Sequence, residues 1–163
     1  MKKIVTILIM GSALSLCAQD IRLGVQGAVS LPAGDLSDNA IMGLQLGGHA
    51  KLALSGGHGV MGRVDLTFYG QNSSTSVTDL AVAADYTYHV ERRQQGLYVL
   101  AGLSQQNYHT AFPNYSRNDN GLGIDLGLGY DMDRHLGLQT RYTTNSFSGL
   151  TYSALNVGVT YTF

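Results

Sequence analysis

Apolar and polar residues alternate along most of the chain after residue 20. A period of two is typical of β-strands with one apolar and one polar face, and each alternating segment is about 9 to 13 residues long. The sequence therefore predicts an all-β protein with eight antiparallel strands. Their predicted ranges are 21–31, 43–54, 59–69, 78–90, 96–106, 121–132, 135–143 and 151–163.

The polar faces of these segments differ in composition from a protein surface that faces water. They are rich in Gly, Ala, Ser and Thr, and the chain contains a single glutamate, Glu91. We therefore expect the apolar faces to contact lipid and the polar faces to line a closed, narrow lumen. In the alternative, a soluble sandwich or lipocalin-like barrel, the apolar faces would form a core. No segment after residue 18 has the roughly 18 consecutive apolar residues of a membrane helix.

The predicted connections alternate in length. Barrels that span an outer membrane have short periplasmic turns and longer outer loops. Because the strand number is even, both termini are expected at the end with the short turns. Short turns are predicted at 55–58, 91–95 and 133–134, and longer polar stretches at 32–40, 70–76, 107–120 and 144–149.

Charged side chains on the polar faces are expected to pair inside the barrel. The lumen of an eight-stranded barrel is filled by side chains, and an unpaired buried charge is costly. We predict that Arg141 lies opposite Asp125 and that Arg63 is a diagonal neighbour of Asp85. The expected role is a structural plug, and the alternative is a path for ions or protons. The inward charges are Arg22, Lys51, Asp79 and Asp131 together with a predicted network of Arg63, Asp65, Asp85, Asp125 and Arg141.

Aromatic residues lie near the ends of the predicted strands, as in the interfacial girdles of membrane proteins. One girdle is predicted from Phe68, Tyr142 and Tyr152, and the other from Tyr86, Tyr88, Tyr130, Tyr161 and Phe163.

The first 18 residues have the composition of a secretory signal peptide, with Lys2 and Lys3 before the apolar run IVTILIM. Cleavage after Ala18 would leave 19–163 as one domain. It would also remove Cys17, the chain's single cysteine, and leave eight basic against 11 acidic residues. Without a basic run, nucleic acid is an unexpected partner.

The sequence contains no recognisable catalytic or metal-binding motif. Its five histidines lack metal-ligand spacing, and neither a GxSxG elbow nor a phosphate-binding loop occurs, so we expect no cofactor and no metal.

The stretch 107–120 holds the residue types of a lipid-modifying enzyme in His109, Ser116 and Asp119. It is also the most recognition-like stretch, although its aromatic residues could equally pack within the loop. These recognition candidates are Tyr108, His109, Phe112, Tyr115 and Arg117.

The last residues, NVGVTYTF, alternate and end on an aromatic. Together with the leader, GLYVLAGLS in the fifth strand and LGLQTRYT in the seventh, they resemble the small OmpA/OmpX-like outer-membrane β-barrel family. The resemblance implies an eight-stranded up-and-down barrel in the outer membrane of a Gram-negative bacterium, with both termini periplasmic. It also implies insertion by periplasmic chaperones and the barrel assembly machinery, which would read Val159, Tyr161 and Phe163 as the insertion signal.

The family resemblance further implies a role in envelope integrity, adhesion or defence against host factors. The chain departs from OmpA in lacking a peptidoglycan-binding domain after the barrel, and from OmpX in its shorter loops, which argue against a protruding strand-like edge. We expect a non-catalytic, monomeric protein of structural or surface-interaction type. The alternatives are a narrow pore and a barrel enzyme that modifies lipid A.

Overall fold

The computed structural model describes residues 21–71, 75–91, 95–147 and 149–163, so the predicted signal peptide lies outside the described residues. Eight antiparallel strands form a closed barrel in which each strand pairs with the next and the last pairs with the first. The predicted fold is confirmed. Among the described residues, no helix is long and apolar enough to cross a membrane. The strands are β1 Ile21–Gly34, β2 Ala40–Ala53, β3 His58–Gln71, β4 Ser76–His89, β5 Gly96–Ala111, β6 Ser116–Asp131, β7 Leu136–Phe147 and β8 Leu150–Thr162.

The apolar faces of the strands point out of the barrel, as the alternation predicts. Leu44 and Leu122 are each 64% exposed, whereas Asp65 and Asp125 are 0% exposed in the lumen. A soluble barrel would have the reverse arrangement, with leucines inside and carboxylates in water. The polar faces therefore form the interior.

The two ends of the barrel have connections of similar length. We call the end that carries residues 21 and 163 the terminal end, and the opposite end the distal end. The predicted difference in length is wrong, because strands continue through the polar stretches: β5 runs to Ala111, and β6 begins at Ser116. A hairpin that extends beyond the membrane needs no apolar outward face. A strand can therefore continue after the alternation of apolar and polar residues has ended. Connections are 35–39, 72–75, 112–115 and 148–149 at the distal end, and 54–57, 90–95 and 132–135 at the terminal end.

Most of the predicted girdle residues lie on the outer surface. Phe68 and Tyr142 are exposed toward the distal half. Tyr152 is an exception, since it is 5% exposed and points into the lumen. It shares the parity of Asn156 and Thr160 along β8, which are also buried, so its face is set by the period of two. Toward the terminal end, Tyr86, Tyr130, Tyr161 and Phe163 are exposed and Tyr88 is half-buried.

Candidate functional site

A buried ion cluster occupies the middle of the lumen and is centred on Arg63 of β3. Arg63 Nε donates to Asp85 Oδ2 at 2.7 Å, Nη2 donates to Asp125 Oδ2 at 2.6 Å, and Nη1 donates to Asp65. A planar guanidinium can serve several carboxylates at once because its five N–H groups point in fixed directions. In the register of β3 and β4, Arg63 faces Ala83, two residues from Asp85. The predicted diagonal pair is confirmed.

The second guanidinium of the cluster belongs to Arg141, which is 2% exposed. Its Nη2 donates to Gln45 Oε1 at 3.0 Å and to Asp65 Oδ2 at 3.1 Å. The predicted pairing with Asp125 is wrong, because Arg141 faces Gly127 and Asp125 faces Thr143. The prediction centred the β6–β7 turn on Asp133, whereas the observed register centres it on Arg134. This change of one residue shifts every partner by two and leaves each side chain on its predicted face.

A smaller polar group lies between this cluster and the terminal end. Lys51 Nζ is 3.1 and 3.3 Å from the two carboxylate oxygens of Asp131, and His89 Nε2 is 3.2 Å from Asp131 Oδ2. Both predicted inward charges, Lys51 and Asp131, thus face the lumen. Met61, Tyr98 and Leu100 form a small buried apolar cluster here, in which Met61 faces Lys51 across one ladder and Asp85 across the other.

The distal end of the lumen is closed by an apolar plug. The rings of Tyr108 and Tyr152 meet edge to face at 5.0 Å, and the hydroxyl groups of Tyr69 and Ser30 are 3.1 Å apart. Leu36 is 0% exposed although it lies in a connection. Parity could have identified the tyrosines, but no local signal marks Leu36 as buried. The plug consists of Leu36, Ala40, Tyr69, Val77, Tyr108, Tyr152 and Ala154.

Beyond the plug, the β5–β6 hairpin extends past its neighbour on one side. β6 pairs with β5 up to Ala111 and Ser116, but its pairing with β7 begins only at Gly123. Within the described part of the chain, no strand therefore pairs with the β7 side of Ser116–Leu122. We call this segment the free edge. The expectation that the chain lacks a protruding strand-like edge is wrong, because the predicted loop 107–120 is mostly strand.

The tip of this hairpin presents aromatic side chains. The rings of Phe112 and Tyr115 stack at 4.4 Å with 16° between their planes, and Tyr115 is 62% exposed. Tyr108, in contrast, belongs to the plug and is 3% exposed. The recognition-like residues are thus divided between the surface and the lumen.

The residues considered for lipid modification do not come together. His109 lies on the outer face of the hairpin, where its Nδ1 is 2.6 Å from Asn118 Oδ1. Asp119 lies on the opposite face and accepts from Arg117 Nε at 2.8 Å. Ser116 pairs with Ala111 at the end of the ladder, two residues along the strand from Asn118. Over the described ranges, no group of three or more His, Cys, Asp or Glu is arranged to hold a metal ion.

Comparison with known proteins identifies the family. The model of the outer membrane protein beta-barrel domain matches residues 4–163. The chain belongs to this family. As an outer-membrane barrel it places its exposed leucines and valines against lipid in the bacterial outer membrane.

Solved outer-membrane barrels have the same fold as this family member. The attachment invasion locus protein Ail of Yersinia pestis is 16% identical, with a TM-score of 0.60 over 88% of this chain and 97% of Ail. Neisserial surface protein A is 18% identical, with a TM-score of 0.57 over 88% of this chain and 97% of that protein. The β-barrel domain of Pseudomonas aeruginosa OprF is 18% identical, with a TM-score of 0.57 over 87% and 97%. A search of curated proteins finds no match.

The C-terminal residues of this outer-membrane barrel lie on its lipid face. Val159, Tyr161 and Phe163 are 50%, 47% and 70% exposed. The backbone N–H of Phe163 donates to Leu23 O at 2.7 Å and so holds the chain end against β1. The role of these residues as an insertion signal stays a prediction.

Proposed function

We propose that the protein is a non-catalytic outer-membrane barrel that binds other proteins at the cell surface through the β5–β6 hairpin. The observation that carries this proposal is the free edge, Ser116–Leu122, which extends beyond β7. An unpaired edge offers backbone N–H and C=O groups to an incoming strand, and β-augmentation is a common mode of recognition. The barrel supplies a rigid base for this hairpin.

The side chains of the hairpin suit recognition rather than self-aggregation. Polar residues Arg117, Asn118 and Asn120 are exposed along the free edge, and charged or polar edges resist indiscriminate pairing. The stacked rings of Phe112 and Tyr115 add an apolar contact at the tip, where aromatic residues give much of their binding energy. Backbone pairing would supply affinity, and the tip would supply selectivity.

We infer that the distal end faces the cell exterior and that both termini are periplasmic. The support is that the hairpin lacks an apolar outward face over Ser116–Asn120, so this part does not suit the lipid core. In this orientation the chain enters the membrane from the periplasm, delivered by chaperones to the assembly machinery after removal of residues 1–18. A monomer is sufficient, since the closed barrel has no unpaired strand within the membrane.

Two structures of Ail bear on the choice of partner. Ail is named for attachment and invasion, and one of its crystal structures is a complex with the heparin analogue sucrose octasulfate. For this chain we propose a protein partner rather than a sulfated sugar. The described distal end carries Asp35, Asp38 and Asp119 against the single cation Arg117, so its charge would repel a polyanion.

Orientation can be tested by cysteine labelling, because the mature chain is expected to contain no other cysteine. Asn114→Cys at the hairpin tip and Ser55→Cys at the terminal end form a matched pair. A membrane-impermeant maleimide should label Asn114→Cys in intact cells and Ser55→Cys only after the outer membrane is permeabilised. The reverse pattern would refute the proposed orientation.

Binding at the hairpin can be tested with cells that produce a shortened variant. Deletion of residues 109–110 and 117–118 removes two facing pairs of the β5–β6 ladder and preserves the alternation of faces. A Phe112→Ser/Tyr115→Ser variant removes only the tip aromatics. Adhesion of the cells to immobilised host proteins should fall for both variants, at equal amounts of heat-modifiable folded barrel. Adhesion equal to that of the unaltered protein would contradict the proposal.

The ion cluster is proposed to be a structural plug, and the pore remains the second candidate function. The support for a plug is that the five side chains of the cluster are almost fully buried. Arg63, Asp65, Asp85, Asp125 and Arg141 are each at most 4% exposed. In planar bilayers the protein should show no single-channel conductance. Steps of conductance that disappear in Arg141→Ala would favour the pore.

Lipid A mass spectra test the proposal that the protein is non-catalytic. Spectra that change when the protein is produced would contradict it.

A further inference from the structure

We propose that the free edge, Ser116–Leu122, selects an extended partner segment in which a basic residue is followed two positions later by an acidic residue. The inference rests on the binding role proposed above for the β5–β6 hairpin, and it adds the direction, register and charge order of the segment bound there. This segment would lie beside β6, beyond the last β6–β7 pair of Gly123 with Asn145. It would run antiparallel to β6, as both β5 and β7 do.

The backbone of every second residue on the free edge points away from β5. Phe112 N donates to Tyr115 O at 2.8 Å at the hairpin tip, and Met132 N donates to Leu136 O at 2.9 Å beyond the other end of β6. Because bonded pairs alternate along an antiparallel ladder, odd-numbered residues of β6 bond to β5 and even-numbered residues bond on the β7 side. An incoming strand can therefore bond to the exposed even-numbered residues of the edge, which are Ser116, Asn118 and Asn120.

The odd-numbered residues of the edge supply its charge. Arg117 and Asp119 share one face of the strand, and Arg117 Nε donates to Asp119 Oδ1 at 2.8 Å. The Arg117 side chain is 46% exposed, and its guanidinium has further N–H groups for a second carboxylate. Residues directly opposite each other in an antiparallel pair have side chains on the same face, where unlike charges attract and like charges repel. The partner best suited to this edge has an acidic residue opposite Arg117 and a basic residue opposite Asp119.

The antiparallel direction fixes the order of these two charges in the partner. The residue opposite Asp119 comes first, the residue opposite Asn118 follows, and the residue opposite Arg117 comes last. A segment with the reverse order would bring like charges together at both positions. A shift of the correct segment by two residues would bring one pair of like charges together, and a shift by one would place its charges on the other face. The two side chains therefore select a single register.

The test uses two synthetic heptapeptides of identical composition and the 15N-labelled, folded protein in detergent micelles. Val-Thr-Lys-Thr-Glu-Thr-Val has the proposed charge order, and Val-Thr-Glu-Thr-Lys-Thr-Val has the reverse order, which would fit only a parallel strand. The backbone amide resonances of Ser116, Asn118 and Asn120 should shift with the first peptide, which should bind at least about fivefold more tightly than the second. In Arg117→Glu/Asp119→Lys this preference should be reversed, because the variant exchanges the two charges.

A second pair of variants tests backbone pairing at the edge. Asn118→Pro removes the N–H that points to the edge and leaves the bonds to β5 intact, and proline is tolerated on edge strands. Asn118→Ala is the matched control, because it keeps this N–H and loses the same side-chain contact with His109. Binding of the first peptide should weaken at least about fivefold in Asn118→Pro and less than about twofold in Asn118→Ala. Heat-modifiable mobility shows whether both variants are folded.

The possible failures of this inference are distinct from failure of the proposed function. Equal binding of the two peptides, tighter binding of the reversed peptide, or no binding up to roughly 5 mM would overturn the charge order. Unchanged binding in Asn118→Pro would overturn backbone pairing at the edge. If either result is obtained while the shortened hairpin still loses adhesion, the inference is wrong and binding by the hairpin stands. Normal adhesion of the shortened hairpin would instead refute the proposed function itself.

Discussion

The ring of Tyr98 lies over Gly129, its direct partner across the β5–β6 ladder. A methyl group added to Gly129 would fall well inside van der Waals contact with the ring carbons and hydroxyl of Tyr98. Packing this close is possible only because glycine has no side chain. The aromatic ring therefore occupies the space that a luminal side chain at position 129 would need.

The same relationship recurs at six other side chains in the lumen. In each case the residue directly across the ladder is a glycine, and a methyl group there would meet the large side chain or its backbone too closely. A barrel of eight strands has little internal space, so each large side chain needs a small neighbour. The further pairs are Gly24 with His49, Gly43 with Tyr69, Gly47 with Asp65, Gly102 with Asp85, Gly127 with Arg141 and Gly137 with Asp131.

Gly129→Ala should destabilise the barrel by about 1–3 kcal/mol through overpacking against Tyr98. The measurement is equilibrium unfolding in urea with the protein folded in lipid vesicles. Gly62→Ala is the matched control, because a methyl group there meets nothing within 4 Å. In a Tyr98→Ala background the cost of Gly129→Ala should fall to near zero, and an unchanged cost would disprove the assigned contact.

Arg63→Met should cost about 3–5 kcal/mol, because three buried carboxylates lose their shared cation. Arg117→Met removes an ion pair whose arginine is 46% exposed, and it should cost at most about 1 kcal/mol. Unfolding of both variants in urea gives the comparison. Equal losses of stability in the two variants would mean that burial of the Arg63 ion pairs does not increase the free energy lost when the arginine is removed.

Asp133 in the β6–β7 turn should stabilise the barrel in a pH-dependent way. Its Oδ1 accepts backbone N–H groups from His135 at 2.7 Å and Leu136 at 2.8 Å, and these bonds lower the pKa of its carboxyl. A lowered folded-state pKa gives stability that is fully present above the unfolded-state pKa and is lost as the pH falls through the folded-state pKa. At pH 7 the protein should therefore unfold at higher urea concentration than Asp133→Asn.

The difference between these two proteins should shrink below roughly pH 4, where the carboxyl of the unfolded chain begins to protonate. At still lower pH it should vanish, since both side chains are then neutral. Unfolding midpoints measured at a series of pH values provide the check. A difference that stays constant across the series would show that the charge of Asp133 has no part in it.

Phe163→Ser should reduce the amount of folded barrel in the outer membrane without lowering the stability of the purified protein by more than about 1 kcal/mol. The side chain of Phe163 is 70% exposed and so contributes little to packing. Tyr130→Ser changes another exposed aromatic toward the terminal end and is the control. Heat-modifiable bands in outer-membrane fractions measure assembly. Normal assembly of Phe163→Ser would refute the proposed insertion signal.

The face of each side chain follows directly from the sequence. Residues two apart in a strand share a face, so the parity of Arg63, Asp85 and Asp125 was enough to place all three in the lumen. The same rule, applied strictly, would have placed Tyr152 in the lumen and not in a girdle. Parity is a local property of the chain and needs no knowledge of neighbouring strands.

The sequence predicted the cross-strand partners of these side chains less well than it predicted their faces. Arg63 and Asp85 were paired correctly, whereas Arg141 was assigned to Asp125 and in fact contacts Asp65 and Gln45. Register depends on where each turn is centred, and a β6–β7 turn centred on Arg134 instead of Asp133 changed every partner along that ladder by two residues. The even shift kept the faces correct while making the pairing wrong.

The sequence by itself determined eight strands, their lipid-facing and luminal sides, and the set of charges that had to meet inside, because the period of two is fixed by the strand backbone. Only the tertiary structure decided that Leu36 closes the distal lumen, that Arg22 faces Lys51 near the terminal end, and that β6 extends beyond β7. These features depend on register and on the relative lengths of neighbouring strands. Both are set by contacts between residues far apart in the chain.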